Sequence, residues 1–326
     1  MNRTARYCIR RLAQAVPTVF LVVLGNFLLL RLAPGDLVDV IAGESGAATA
    51  EYLEQLRQQF GLDKSLLEQF LAYIKNIAQL NLGYSFRYNT PVAELILDRM
   101  PATLLLATAG ITLAVIVGVT LGALSARFRG SLLDEAISIL ATMGFAVPVF
   151  WFGLMAVVLF SVKLNWLPIG GMTTIGLFGA SWWTHVLDVA THLILPALTL
   201  SIFYVALYSR ITRSAMLEVY QFDYVRTARA KGISEARVVL HHVLRNALLP
   251  IVTLTGLQLG AILGGSIVIE TVFSWPGLGR LAFDAVASRD LNLLLGLFLI
   301  NSLLVITMNL LIDILYAALD PRIEVT

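Results

Sequence analysis

Residues 224–250 read YVRTARAKGISEARVVLHHVLRNALLP. Small and basic residues at helical spacing lead up to Gly232, and Ser234 stands where it can cap a second helix over about 235–249. That second helix carries Val238, Val239, His242 and Leu249 among basic residues. The pattern predicts two helices meeting at a glycine turn. A connection that merely concentrates positive charge needs no such corner. The charge is nonetheless concentrated: Arg210, Arg213, Arg226, Arg229, Lys231, Arg237 and Arg245 place seven of the chain's 23 Lys and Arg within 210–250.

On both sides of this segment the chain turns apolar. Residues 189–209 and 246–269 contain no Asp, Glu, Lys or Arg, and neither do 12–30, 101–126, 136–162 and 291–312. A helix crosses a bilayer in about 20 apolar residues, so the sequence predicts six transmembrane helices in an all-α membrane protein. Composition agrees: of 326 residues 58% are hydrophobic and 13% charged, with a mean hydropathy of +0.82. A soluble fold of this length needs far more charge on its surface. A net charge of +2 gives no argument for nucleic acid. Cys8 is the single cysteine, which excludes an internal disulfide and a Cys-rich metal site. Four arginines precede the first run, as in a signal peptide, yet the run is long and no small-residue cleavage pattern follows Arg31. An uncleaved first helix is expected.

Lys and Arg in short loops set orientation. The N-terminal tail, the loop holding Arg127 and Arg129, segment 210–250 and Arg322 carry 14 of the 23 on one side. Both termini are therefore expected in the cytoplasm, with 33–100, 163–188 and 270–290 outside. The chain divides into a tail and first helix (1–32), an external segment (33–100) and a core with the remaining spans (101–326). In the external segment, 50–60 reads as a helix stopped by Gly61. Residues 65–80 read as a second amphipathic helix, with Ser65 as N-cap and Glu68 three residues on. A cap over the outer mouth and a partner-docking surface are both open for it. Gly118 and Gly122, and Gly256, Gly260 and Gly264, have the four-residue spacing of close helix contacts. Pro148 and Pro196 are expected to kink or locally open their helices.

Segment 224–250 resembles the cytoplasmic EAA loop of ABC importer permeases, in the form of the dipeptide/oligopeptide/nickel branch. The general pattern is Glu-Ala-Ala, three residues, Gly, nine residues, then Ile-x-Leu-Pro. Ala228, Gly232 and Leu244 match it, while Arg226 and Thr227 stand where Glu and Ala stand. The departures are similar to the peptide branch's own form, Ala-Arg-Ala-Lys-Gly followed by His-x-Leu-Arg-Asn-Ala-Leu-x-Pro. Leu82-Gly83-Tyr84-Ser85, His192-Leu193-Ile194-Leu195-Pro196, Glu270-Thr271-Val272-Phe273-Ser274-Trp275-Pro276-Gly277-Leu278-Gly279 and Asp320-Pro321-Arg322 extend the likeness over nearly the whole chain. One departure is Arg289-Asp290-Leu291-Asn292, where the branch usually follows Arg-Asp with an aromatic and Pro.

The resemblance implies a type I ABC importer permease fold and a subunit of the bacterial inner membrane. It implies a second homologous permease, two cytoplasmic ATPase subunits, an external substrate-binding protein and the lipid bilayer as partners. Ala228, Arg229, Ala230, Lys231, Gly232, Ser234 and Glu235 would then form the ATPase-coupling element, with Ala228 and Ala230 leaving room for docking and Arg229 and Lys231 pairing with acidic ATPase residues. Peptides are the implied cargo; a nickel chelate, glutathione, haem or an opine are the alternatives.

The chain itself is not expected to be an ATPase or another enzyme, or to hold a cofactor. A P-loop needs Lys after Gly, and none of the four lysines, Lys64, Lys75, Lys163 and Lys231, follows a glycine. ATP would be bound by the partner ATPases. An intramembrane enzyme is a distant rival, since no His-Glu-x-x-His or Gly-x-Ser-x-Gly occurs. A self-sufficient carrier is another, without inverted repeats to support it. The turn Trp275-Pro276-Gly277-Leu278-Gly279 is expected to be a tight re-entry between helices, with contact to a binding protein as the other reading.

Overall fold

The computed structural model describes residues 3–32, 54, 63–85, 87–177, 179 and 181–319. Apart from Glu54, the helix expected at 50–60 lies outside them. The described residues are helical except for one short hairpin and the connections. Four helices are long and apolar enough to cross a membrane. They lie within α1 (Arg3–Leu32), α3 (Val92–Arg127), α6 (Trp182–Val219) and α12 (Leu291–Leu319). Two bent pairs complete the expected six if each is one crossing. They are α4 (Leu132–Ala146) with α5 (Val149–Lys163), and α8 (Glu235–Ala247) with the start of α9 (Leu249–Gly265).

The chain forms two compact bodies. One holds Met1–Asp98, Asp284–Ile306 and Val325–Thr326, the other Arg99–Phe283 and Thr307–Glu324. In the first, α2 (Leu66–Ala78) starts as its sequence predicts. The Ser65 hydroxyl accepts from the Glu68 amide, and the Glu68 carboxylate accepts from the Ser65 amide at 3.1 Å. The Ser65 hydroxyl and amide hold that carboxyl below its ordinary range. The next turn places β1 (Tyr84–Ser85) antiparallel to β2 (Thr90–Pro91). Asp290 and the departing residue Asn292 then acquire roles. Asp290 accepts from the Leu293 amide at 3.1 Å, capping α12, and from the Ser85 hydroxyl at 2.5 Å. Asn292 donates to the Tyr84 carbonyl at 3.2 Å.

In the second body, α3 and α6 touch along glycines. A Cβ on Gly110 would stand 2.7 Å from Leu200 Cδ2, and one on Gly118 2.7 Å from Tyr208 Cβ and 2.9 Å from the Val205 carbonyl oxygen. One on Gly122 would meet the Ser209 carbonyl oxygen. Expected close packing at Gly118 and Gly122 is thus borne out, as it is at Gly256, which lies against Ile312.

The two prolines differ. At Pro148 the run read as one helix breaks: Val147 and Pro148 are extended, and α4 and α5 meet at 103°. Pro196, by contrast, lies inside α6, which continues through it. The helix α6 also begins at Trp182 and runs past Arg210 and Arg213, well outside the apolar run of 189–209. Helices continue into water with charged residues, so the ends of an apolar run are not the ends of its helix.

Two carboxylates organise this body. Glu270, on α10 (Ile267–Val272), is fully buried. It accepts from Thr103 and Ser266 hydroxyls at 2.8 Å and from the Arg280 amide at 2.9 Å. Trp275 is buried beside it and donates its indole N–H to the Ala102 carbonyl at 2.8 Å. The turn 275–279 is therefore a structural re-entry into α11 (Leu278–Ser288), as expected. Asp134, at the start of α4, accepts from Ser125 Oγ at 2.5 Å, the Gly130 amide at 3.0 Å, and Arg213 Nε and Nη2 at 2.8 and 2.9 Å. This two-pronged pair ties α4 to α6 across the end of α3.

Two substitutions test these contacts. Gly122→Ala must push backbone away from backbone, which costs about 1–3 kcal/mol. It should lower the thermal midpoint of the detergent-purified protein, whereas Gly25→Ala, with nothing within 4 Å of the new Cβ, should leave it unchanged. Asp134→Asn removes the charge and one of the two acceptor oxygens of the Arg213 fork and should cost about 1–3 kcal/mol in the same measurement. Arg213→Lys, which keeps the charge but not the fork, should cost less.

Candidate functional site

The corner at Gly232 is built from the end of α6, the helix α7 (Asp223–Ala230) and α8. Asp223 in the first turn of α7 and Arg229 in the last suit the helix dipole. Val225 and Ala228 face inward, into a cluster with Ala126, Met216, Val219, Val238, Val243 and Ala247. Every α7 contact in this cluster comes from an i, i+3 pair, so one stripe of a short helix suffices to seat it.

The turn itself is closed by backbone hydrogen bonds. Gly232 has φ +74°, a conformation open to glycine and disfavoured for other residues. Its amide donates to the Arg229 carbonyl at 2.9 Å, and the Ile233 amide reaches back to the Ala228 carbonyl at 3.3 Å. This crossed pair is the Schellman ending of a helix, and its usual apolar contact is present, because Ile233 packs on the cluster that contains Ala228. The chain then enters α8, whose middle turns, Val238–Leu244, are π-helical. Single π-turns inside helices recur at functional sites.

Polar contacts brace the corner from outside. Arg229 grips Glu235 with two hydrogen bonds, 3.1 and 2.8 Å, across the turn, and its guanidinium lies 5.3 Å from the Tyr220 ring at the end of α6. Asn246 donates to the Tyr224 hydroxyl at 2.9 Å and to the His242 carbonyl at 2.8 Å, and the Tyr224 hydroxyl donates to that same carbonyl at 3.3 Å. The glycine turn, the ion pair and the tyrosine bridge fix the angle between α7 and α8.

The seven residues expected to couple to an ATPase are thus brought together, but they do different things. Gly232 makes the turn as expected. Ala230, Lys231 and Ser234 are exposed. Ala228 is buried in the chain's own cluster and offers no docking room, because the helix needs a small inward residue there. Arg229 and Glu235 pair with each other while both remain partly exposed. Ser234 occupies the cap position, but its side chain makes no capping bond; its carbonyl accepts from the Arg237 and Val238 amides instead. Residue patterns missed Tyr220, Tyr224 and Asn246 as braces, and Asp134 as the acceptor for Arg213. The available signal for Asp134 was Ser131 three residues before it, at the head of a run whose only other charge before Lys163 is Glu135.

The site is a hydrogen-bonded elbow with a basic outer surface. Among the described residues no three His, Cys, Asp or Glu side chains converge as a metal ion would require.

Known proteins share this design. Residues 118–325 match the family described as the binding-protein-dependent transport system inner membrane component, and residues 4–107 match the N-terminal part of such membrane components. The di/tripeptide transport system permease protein DppB of Pseudomonas aeruginosa is 43% identical over 328 residues, 97% of both chains. The glutathione transport system permease protein GsiC of Escherichia coli is 43% identical over 318 residues, 98% of both. Among solved structures, an inward-facing MetNI methionine ABC transporter superposes with a TM-score of 0.56 at 16% identity, covering 69% of this chain and 96% of that one. That likeness concerns the fold, and it is the type I importer fold expected. Full-length identity, the family match and the helical architecture together make this chain a member of the binding-protein-dependent transport system inner membrane components, a multi-pass permease subunit of an ABC importer.

Proposed function

We propose that this permease forms half of an inward pathway for di- and oligopeptides, and that the corner around Gly232 is where ATP-driven closure of a cytoplasmic ATPase reaches the membrane helices. The observation that carries the coupling role is the fixed angle of the elbow: a push on α7 is delivered through the cluster of Val225, Ala228 and Met216 into α6 without first bending the turn. Ala230, Lys231, Gly232 and Ser234 would touch the ATPase. Ala228, Arg229 and Glu235 would shape the element from within. ATP itself would be handled by two partner ATPase subunits. A second homologous permease would complete the pathway, and an external binding protein would deliver the cargo. The excess of Lys and Arg in the tail and in 210–250 supports cytoplasmic termini.

For the cargo, the support is the full-length likeness to a di/tripeptide permease. The equal identity to a glutathione permease favours a second reading within the same chemistry, since glutathione is itself a modified tripeptide. Uptake of labelled dipeptide by cells carrying the whole transporter, challenged with glutathione or a nickel chelate, separates them. Competition by unlabelled peptides alone supports the peptide reading; uptake blocked only by glutathione or by the nickel chelate refutes it.

For the coupling role, Gly232→Pro is decisive. Proline is locked near φ −65° and has no amide to donate, so both features of the turn are lost. Membrane insertion and yield should be normal, co-purification of the ATPase weakened and uptake abolished. Gly232→Ala meets no neighbouring atom and should cost only about 1–2 kcal/mol of backbone strain, with an intermediate loss of uptake. Normal uptake by the proline variant would refute the elbow as the coupling element.

A further inference from the structure

The helix α2 was open to two readings, a cap over an outer mouth or a docking surface. Its contacts with α1 favour neither. The ring of Phe70 sits 6.0 Å from that of Phe20 and 5.2 Å from that of Phe27, and Tyr73 lies tilted against Phe27 at 5.7 Å. The Asn26 amide donates to the Tyr73 hydroxyl at 3.2 Å and to the Leu295 carbonyl at 2.9 Å. All three α1 residues belong to its spanning stretch, Leu12–Leu32. At 1.5 Å per residue, Phe27 lies about 8 Å and Phe20 about 18 Å inside the Leu32 end of that stretch. A hydrocarbon core of about 30 Å uses the whole stretch. Phe70 therefore meets α1 at the level of lipid tails, not above the membrane.

The remaining faces of α2 fit that depth. At 100° per residue, Phe70, Tyr73 and Ile77 form the side turned to α1. Next to it, Leu67, Leu71 and Ile74 make an apolar stripe that the protein leaves uncovered, with Leu67 68% and Leu71 57% exposed. The opposite arc carries Glu68, Gln69, Lys75 and Asn76. So the helix has one side for a protein neighbour, one for an apolar medium and one for water. A helix with these three sides has the amphipathic character of membrane-bound helices.

We propose that α2 is a membrane-embedded amphipathic helix packed on α1, with Leu67, Leu71 and Ile74 among the lipid chains of the leaflet that meets the Leu32 end of α1. The occupant of the exposed stripe is lipid, continuous with the lipid-facing surface of α1. The inference rests on α1 spanning the membrane and is independent of the cargo, of the coupling element and of which side Leu32 faces.

The single cysteine makes the test direct. In a Cys8→Ser background, Leu67→Cys, Leu71→Cys, Ala72→Cys and Asn76→Cys each take one nitroxide label. The labelled transporter, assembled with its partners, is reconstituted into phospholipid vesicles, and each label is scored for collision with oxygen, which concentrates in lipid, and with a water-soluble nickel chelate. All four positions are exposed, so the labels should be tolerated. Labels at 67 and 71 should show an oxygen-to-nickel ratio severalfold above those at 72 and 76. Equal ratios at all four, with free access of nickel, would place α2 in water and overturn the proposal. Labels at 67 and 71 shielded from both reagents would assign the stripe to a protein partner and overturn it equally.

Discussion

Inside a bilayer a peptide N–H or C=O has no water to bond, so every interruption of a helix must be repaired from within the protein. Three interruptions among the described residues show such a repair. Where α4 stops before Pro148, the Val147 amide still reaches the Met143 carbonyl at 3.0 Å. Where α8 bends into α9, the Leu248 amide bonds Leu244 and the Val252 amide bonds the Leu248 carbonyl, at 2.9 and 3.0 Å. Where α10 ends, the Trp275 amide returns to the Glu270 carbonyl at 2.8 Å, and the Glu270 side chain collects the amide and hydroxyls that the turn would otherwise strand. The same accounting explains why polar side chains sit among the apolar helices. Asn26, Thr103 and Ser266 close bonds that lipid cannot.

The corner at Gly232 obeys a related rule at the edge of the apolar region. Its turn leaves few groups open, and its ion pair and tyrosine bridge resist opening or closing of the angle. A flexible loop of the same charge would absorb a push by bending. The inward side chains Val225 and Ala228 also make the elbow part of the core around Met216 and Val238, so elbow and helix ends form one solid piece.

Much of this was legible in residue patterns. Runs without charge located the four long spans and fell on both bent pairs, because the penalty for a charge in lipid is large enough to dominate any other preference. The Ser65–Glu68 capping box and the turn at Gly232 were legible because each is dictated by neighbours within a few residues. The unread features involve direction or distance. A hydropathy run has no bend angle, so the 103° break at Pro148 was visible only as a proline. Helix α7 is too short for its pattern to reveal that Ala228 points inward. The Arg229–Glu235 pair spans a turn, and Asp134 meets Arg213 from 79 residues away; charge counting registers both arginines as surface positives. The stripe on α2 was readable as amphipathic, while the medium it faces needed the depth of Phe20 and Phe27 on α1.

The length of α6 carries a mechanical meaning. Its 38 residues extend about 57 Å, nearly twice the hydrocarbon thickness. Arg213, where Asp134 grips it, is six residues from the Val219 end and thirty-one from Trp182. A rod held at that point is a lever with unequal arms, about 9 Å and about 46 Å. Pivoting there as a rigid body, a displacement at the elbow end grows about fivefold at the far end by the ratio of these arms. Because Gly110, Gly118 and Gly122 seat α3 against the long arm, the two helices would swing as one beam. A small displacement at the elbow end would thereby become a larger one at the Trp182 end.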